Sequence, residues 1–430
     1  MREKRDVAVK GKWWGVMALA LVVLLLPEGG MLVSGMHLGP YFEFPPRTFR
    51  SPEVLEDRAV FVVMAIGLGS FCGVGLLILL YTMIRYCREP GLARRRWPWW
   101  GGAALLWTGL WWWLAWAQPL AGWELQRHTF TPLWLGYIGV VSAFCWWRGG
   151  RCLPVESPRR FAGLFALSGA FWWVFEYLNR FVQNWYYLTD RDFGRLEYLL
   201  FASLSFSTVL PAVAVTQDLL QTLAPIRVGL ARMWRLRLWR WLEWLSLVAI
   251  LALGGVVLVK SQLLAAGVYV VLVPIVPLTF LSRGLVRRVG GALICLLAGI
   301  GLWRLGVEPD IYYPVLWVSP LLLLVGARAA RGREHFFSGI GRGDWRAIYG
   351  WTLASLICGI VWEMWNHYSL VKWQYQIPFV DMYEVFEMPI LGYAGYIPFG
   401  WECAVVIALF FHPESETETD LQADGISTVP

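Results

Sequence analysis

Charge is what this sequence has least of. Asp, Glu, Lys and Arg together make up 16% of 430 residues, and 58% are hydrophobic; an ordinary soluble domain carries about 25% charge. A water-soluble enzyme needs a polar surface that this composition does not supply. Histidine numbers five, and His37, His128, His335, His367 and His412 are scattered, with no HExxH. That pattern disfavours a metal or haem centre built on His pairs. The seven cysteines are odd in number, form no CxxC pair and lie mostly in apolar runs, where Cys behaves as a small hydrophobe. Neither a disulfide framework nor a structural zinc follows. There is no GxGxxG after a strand and no Walker sequence, so no nucleotide cofactor is expected. Asparagine is rarest of all, with Asn179, Asn184 and Asn366 the three in the chain.

What is abundant is apolar and aromatic. The chain holds 29 Trp, 23 Phe and 17 Tyr, and apolar runs recur from end to end. A bilayer core needs roughly 20 apolar residues as a helix. Twelve such spans are expected: 13–33, 60–81, 98–118, 132–147, 161–178, 197–219, 242–259, 263–281, 290–305, 312–327, 347–365 and 388–411. The ninth is short and Gly-rich. The expected class is an all-α polytopic membrane protein.

The net charge of +7 need not mean nucleic acid, because the basic residues cluster between spans. With the N-terminus inside, 27 of the 37 Lys and Arg fall in alternate, cytoplasmic segments. One miscounted helix would invert every later loop and spoil that alternation. The expectation is therefore an inner-membrane protein with both termini cytoplasmic. The first run lacks a small-residue cleavage site and reads as an anchor rather than a signal peptide. The acidic end, 413–430, reads as a disordered tail.

A repeat is present. Residues 171–187 read FWWVFEYLNRFVQNWYY and residues 361–375 read VWEMWNHYSLVKWQY. Glu176 matches Glu363 and Asn179 matches Asn366, both 187 positions apart, as do Pro211 and Pro398. Trp185 and Tyr187 match Trp373 and Tyr375 with one residue of slippage. Upstream, Thr131-Pro132-Leu133-Trp134 resembles Tyr313-Pro314-Val315-Leu316-Trp317, and Gly150-Arg151 resembles Gly332-Arg333. Spans three to six thus correspond to nine to twelve. If the weaker spans one–two and seven–eight correspond as well, the expectation is two parallel six-helix halves, 1–225 and 226–412, related by a pseudo-twofold along the membrane normal.

Glu and Asn at i, i+3 share one helix face, and an ionisable group in a membrane segment is costly enough to suggest function. Glu176, Glu363, Asn179 and Asn366 are the candidate reactive residues, with Glu402 inside the last span. Trp185, Tyr187, Trp373, Tyr375 and Glu387 are candidate substrate-contacting residues. Two readings stand side by side: each Glu-Asn pair closes a helix end structurally, or it carries chemistry. The Trp and Tyr likewise fit an interfacial aromatic belt, although a belt needs no fixed spacing. The aromatic, Pro-rich loop 34–59 either covers a cavity or is an ordered connector.

At these residues the sequence resembles the integral-membrane lycopene cyclases, whose two homologous halves are sometimes separate subunits. In that family a Trp-acid pair ends a helix, Trp-x-Tyr follows, and a Pro with a nearby carboxylate opens the next helix. Here the correspondence is Trp362-Glu363, Trp373-Gln374-Tyr375 and Pro398 with Glu402. In the first half it is Phe175-Glu176, Trp185-Tyr186-Tyr187 and Pro211, with no acid after the proline. The family's Asp after Trp and its Pro-x-Glu-Glu are replaced, and the resemblance spans 172–218 and 361–404. It implies redox-neutral cyclisation of a polyene by a protonated carboxyl, with aromatic faces stabilising a carbocation. The implied partner is a membrane lipid or other apolar small molecule. A transporter and a structural subunit of a membrane complex remain the alternatives, and the oligomeric state stays open.

Overall fold

The computed structural model describes residues 2–48, 58–120, 122–256 and 275–411, with side chains described from residue 15 except at 253–256. The expected acidic tail, the end of the seventh span (257–259), residues 263–274 of the eighth and residues 49–57 of loop 34–59 lie outside the described residues. The chain is all-α, its few strands being two to four residues long. The principal helices are α1 (Arg2–Val33), α2 (Arg58–Tyr86), α3 (Trp99–Ala117), α4 (Phe130–Gly149), α5 (Pro158–Val182), α6 (Arg195–Phe206) and α7 (Val209–Gln221). They continue as α8 (Arg240–Val256), α9 (Gly284–Val307), α10 (Pro314–Ala330), α11 (Arg346–His367) and α12 (Tyr396–Phe411).

Among the described residues, eight helical stretches are long and apolar enough to cross a membrane, which is the make-up of a multi-pass membrane protein. They are α1 from Gly15, α2, α4, α5, α6 with α7, α9, α11, and α12 with the turn before it (Ile390–Phe411). The remaining expected spans fall on helices that are shorter or less hydropathic. α10 and α8 have 17 residues each, and α3 owes its apolar character to tryptophan. The span expected to be short, 290–305, is instead 24 residues long in α9. α2 buries just Val60, Met64 and Thr82 and turns Leu76, Leu77 and Ile84 outward. A helix with so much exposed aliphatic surface suits a hydrocarbon solvent.

Packing follows the same order twice. α3 lies on α4, α4 on α7 and α5 on α7; likewise α9 lies on α10, α10 on α12 and α11 on α12. α7 and α11 join the two sets. One-turn helices sit at equivalent joints, Glu124–Arg127 and Pro309–Tyr312 before α4 and α10, Leu153–Glu156 and Ser338–Arg342 after them. Gly150 and Gly332, which follow α4 and α10, both take positive φ, +69° and +72°. A side chain there would be strained, and it would also run into the Arg95 and Arg288 guanidinium groups.

α5 and α11 each end on the same side of the molecule, opposite the basic segments 148–160 and 328–346. From those ends the chain enters β1 (Trp185–Leu188) and β2 (Lys372–Tyr375), which pair antiparallel. The register sets Trp185 opposite Tyr375 and Tyr187 opposite Trp373, and Gln376 N–H extends it by donating to Asn184 O at 2.8 Å. A shorter hairpin, β3 (Glu384–Val385) with β4 (Met388–Pro389), precedes α12.

Candidate functional site

The site grows from the last turns of α5 and α11. Each asparagine faces the strand that follows it and clamps a tryptophan's backbone. Asn179 Nδ2 donates to Trp185 O (2.8 Å) while its Oδ1 accepts from Asn184 N–H (2.9 Å). Asn366 Nδ2 donates to Trp373 O (2.7 Å) and its Oδ1 accepts from Trp373 N–H (3.0 Å). A carboxamide offers one donor and one acceptor side by side, like the peptide group of a neighbouring strand. That explains why asparagine stands here in a chain nearly devoid of it.

The glutamates lie one helical turn earlier and bind the strands' side chains. Glu176 Oε1 accepts from Tyr187 OH (2.6 Å), Trp185 Nε1 (3.1 Å) and Trp172 Nε1 (3.2 Å). Glu363 Oε1 accepts from Tyr375 OH (2.7 Å) and Tyr396 OH (2.8 Å), while Trp373 Nε1 donates to Tyr375 OH (2.8 Å). Both residues are buried, Glu363 completely, and its Oε2 has no hydrogen-bond partner among the described residues. The two elements thus share a plan: Glu to Tyr hydroxyl, Asn to Trp backbone. Burial pushes the Tyr187 and Tyr375 hydroxyls well above their ordinary range, and the facing carboxyls add to the effect. Both remain proton donors at neutral pH.

The aromatic residues cross between the sets. Trp134 packs on Trp362 at 5.2 Å and Trp317 packs on Phe175 at 5.5 Å. In each pair a tryptophan from α4 or α10 meets the residue preceding the glutamate of the other set. Trp317 and Trp362 of these pairs also line a cavity of about 490 Å³, whose wall further includes Trp172, Trp185, Tyr187, Trp373 and Tyr375. Neither carboxylate lines it directly; each stands behind its tyrosine. A second, polar cavity of about 440 Å³ lies on the other side of Trp185 and Tyr187, lined by Glu176, Asn179 and Arg180. Pro45–Thr48 form part of its wall, so the described part of loop 34–59 covers a cavity.

The other candidates fall into different settings. Glu387 accepts from Lys372 Nζ (2.7 Å) and Gln374 Nε2 (3.2 Å), with His367 Nδ1 at 3.1 Å. Partial burial works against its charge, but the Lys372 hydrogen bond and charge outweigh it and hold the carboxyl below its usual range. Glu387 therefore anchors β2 and does not face the cavity. Glu402 is fully buried between α10 and α12, where Oε1 accepts from Leu321 N–H (3.2 Å). It braces α10, apart from the tyrosines. Glu124, His128 and Glu197 bring possible metal-ligating atoms within 4.8 Å of one another. Arg191 already occupies both carboxylates, at 2.9 Å and 2.5 Å.

Three contributors to the site escape the sequence pattern. Tyr396 reaches Glu363 from 33 positions away, Trp172 reaches Glu176 from within α5, and Asn184 lines the large cavity. Only Asn184 left a signal, its rarity beside Trp185. No family model, curated protein or solved structure matches the chain.

Proposed function

We propose that this protein is a membrane enzyme that takes an apolar isoprenoid chain into the aromatic cavity and protonates it. The observation carrying the reading is the Glu363–Tyr375 pair: a buried carboxyl bonded to a hydroxyl that lines a cavity walled by indole rings. In the reaction the Glu363–Tyr375 bond, in which Tyr375 donates at rest, reverses: the protonated carboxyl gives its proton to the Tyr375 oxygen as that hydroxyl passes its own to a terminal carbon of a double bond. The cation closes on a second double bond beside the tryptophan faces, which stabilise positive charge. A neighbouring C–H then returns its proton to the carboxylate, so the substrate is isomerised without net redox change. This is the lycopene-cyclase type of chemistry that the motifs resemble.

The matched hydrogen bonds and crossed aromatic pairs favour an origin by duplication into two halves; twelve spans with the ribbon on the outer face of an inner membrane is the reading that the clustering of basic residues in alternate segments supports. Transport fits less well, because the β1–β2 ladder ties the two sets together where alternating access needs them to rock. A purely structural subunit would have no use for a cavity lined with proton donors.

The test is expression in a host accumulating linear polyenes, followed by mass spectrometry of co-purifying and total lipids. Wild type is expected to yield ring-bearing isomers of unchanged mass. Glu363→Gln and Tyr375→Phe, at matched protein levels, are expected to lower product by roughly 10²–10⁴-fold. Wild type with no new isomer defeats the cyclisation reading.

A further inference from the structure

Three residues lining the large cavity, Asn184, Tyr198 and Ser319, have side-chain polar atoms without a partner among the described residues, and Asn184 alone of them leaves both a donor and an acceptor so. Asn184 is 1% exposed and lines the cavity, yet neither its Oδ1 nor its Nδ2 has a hydrogen-bond partner among the described residues. Its backbone is fully used: the N–H donates to Asn179 Oδ1 and the carbonyl accepts from Gln376 N–H. Those bonds fix the residue and leave the carboxamide as its unpaired group, and burying such a group without a partner is destabilising. Ser319 on α10 repeats the pattern, fully buried, lining the same cavity, its Oγ without a partner among the described residues.

We propose that Asn184 is a binding site for a hydroxyl group carried by the isoprenoid. A hydroxyl accepts from Nδ2 and donates to Oδ1 at once, satisfying both halves of the amide; an ether or carbonyl satisfies one. A charged head is not what this wall selects. Lys372 is spent on Glu387 (2.7 Å) and Arg127 on Asp190 (2.8 and 2.6 Å). His128, also in the lining, is held below its ordinary range by burial and stays neutral at pH 7. The ligand class is thus a neutral isoprenoid alcohol, a refinement that rests on the cavity reading above.

The experiment uses the full chain in nanodiscs and energy transfer from tryptophan to three probes of one skeleton: all-trans-retinol, its methyl ether, and the hydrocarbon lacking the oxygen. Empty nanodiscs correct for partition into lipid. Wild type is expected to bind retinol roughly 10-fold more tightly than the hydrocarbon, with the ether between them. Asn184→Leu keeps the side-chain volume and the backbone bonds. It is expected to abolish the preference and leave hydrocarbon affinity within about 2-fold, by the same hydrogen-bond arithmetic. Equal binding of all three probes by wild type overturns the hydroxyl site while leaving the apolar cavity standing, and needs no variant. A preference that survives Asn184→Leu overturns the assignment to Asn184. Binding of none above empty nanodiscs overturns both the site and the cavity reading.

Discussion

Trp185 stands directly opposite Tyr375 in the antiparallel ladder, so each strand's tryptophan meets the other strand's tyrosine. A two-fold axis passing between β1 and β2 produces that exchange, since it maps Trp185 on Trp373 and Tyr187 on Tyr375. The register is therefore the most compact sign of how the two sets of helices face each other.

The ladder is open to chemical capture. Tyr186 and Gln374 are partners in it, with Tyr186 OH donating to Gln374 Oε1 at 3.1 Å. Facing residues in such a ladder have Cα atoms about 5.5 Å apart, within disulfide reach. Tyr186→Cys with Gln374→Cys is expected to form a disulfide on mild oxidation, read as a linked peptide by mass spectrometry. Tyr186→Cys with Lys372→Cys, out of register, is expected to link far less. Equal linking of both pairs would remove the register.

The asparagine clamps are expected to be additive supports. Asn179→Ala and Asn366→Ala each strip a donor and an acceptor from a buried strand backbone. Each should cost about 1–3 kcal/mol, seen as a lowered unfolding temperature in detergent. Wild-type stability in either variant would show that the tryptophan backbone finds other partners.

Acid should loosen β2 in a specific way. The Glu387 carboxyl titrates below its usual 4.5 because Lys372 favours its charged form, after burial has been overcome. A carboxyl depressed in the folded state stabilises above its unfolded value and loses that contribution as pH falls through the folded one. The melting-temperature advantage of wild type over Glu387→Gln is thus expected at pH 6–7, should start to shrink as pH falls towards the ordinary carboxyl value of 4.5, and should vanish once pH has passed below the depressed folded-state value. In a Lys372→Met background that advantage should already be small at neutral pH. A pH-independent difference would sink the ion-pair account.

Orientation is testable on the same face. Thr189 and Tyr383 are exposed near the ribbon. In a background with Cys72 and Cys87 replaced, Thr189→Cys and Tyr383→Cys are expected to react with an impermeant thiol reagent in intact cells. Labelling only after lysis would invert the topology.

How much of this was readable beforehand depended on what kind of signal each part leaves. Glu176, Glu363, Asn179 and Asn366 stood out because spacing and rarity survive in one dimension. The helices stood out because lipid demands long apolar runs, and α3, rich in tryptophan, was legible among them as 98–118. The β1–β2 pairing did not, since four-residue strands are too short to show a period. Tyr396 and Glu402 show the other limit: which carboxyl a tyrosine meets, and which helix a glutamate braces, depends on packing between α10, α11 and α12. Glu387 carried its own charge signal, but nothing in the sequence paired it with Lys372.

The ribbon also sets an order of assembly. β1 is made early in synthesis, and its partner strand emerges 187 residues later. Until then β1 presents bare N–H and C=O groups along its edge, the kind of edge that recruits foreign strands. The pairing is thus a closing clasp, fastened only when α11 has been inserted. A chain interrupted before residue 372 lacks that partner strand and leaves the edge of β1 open.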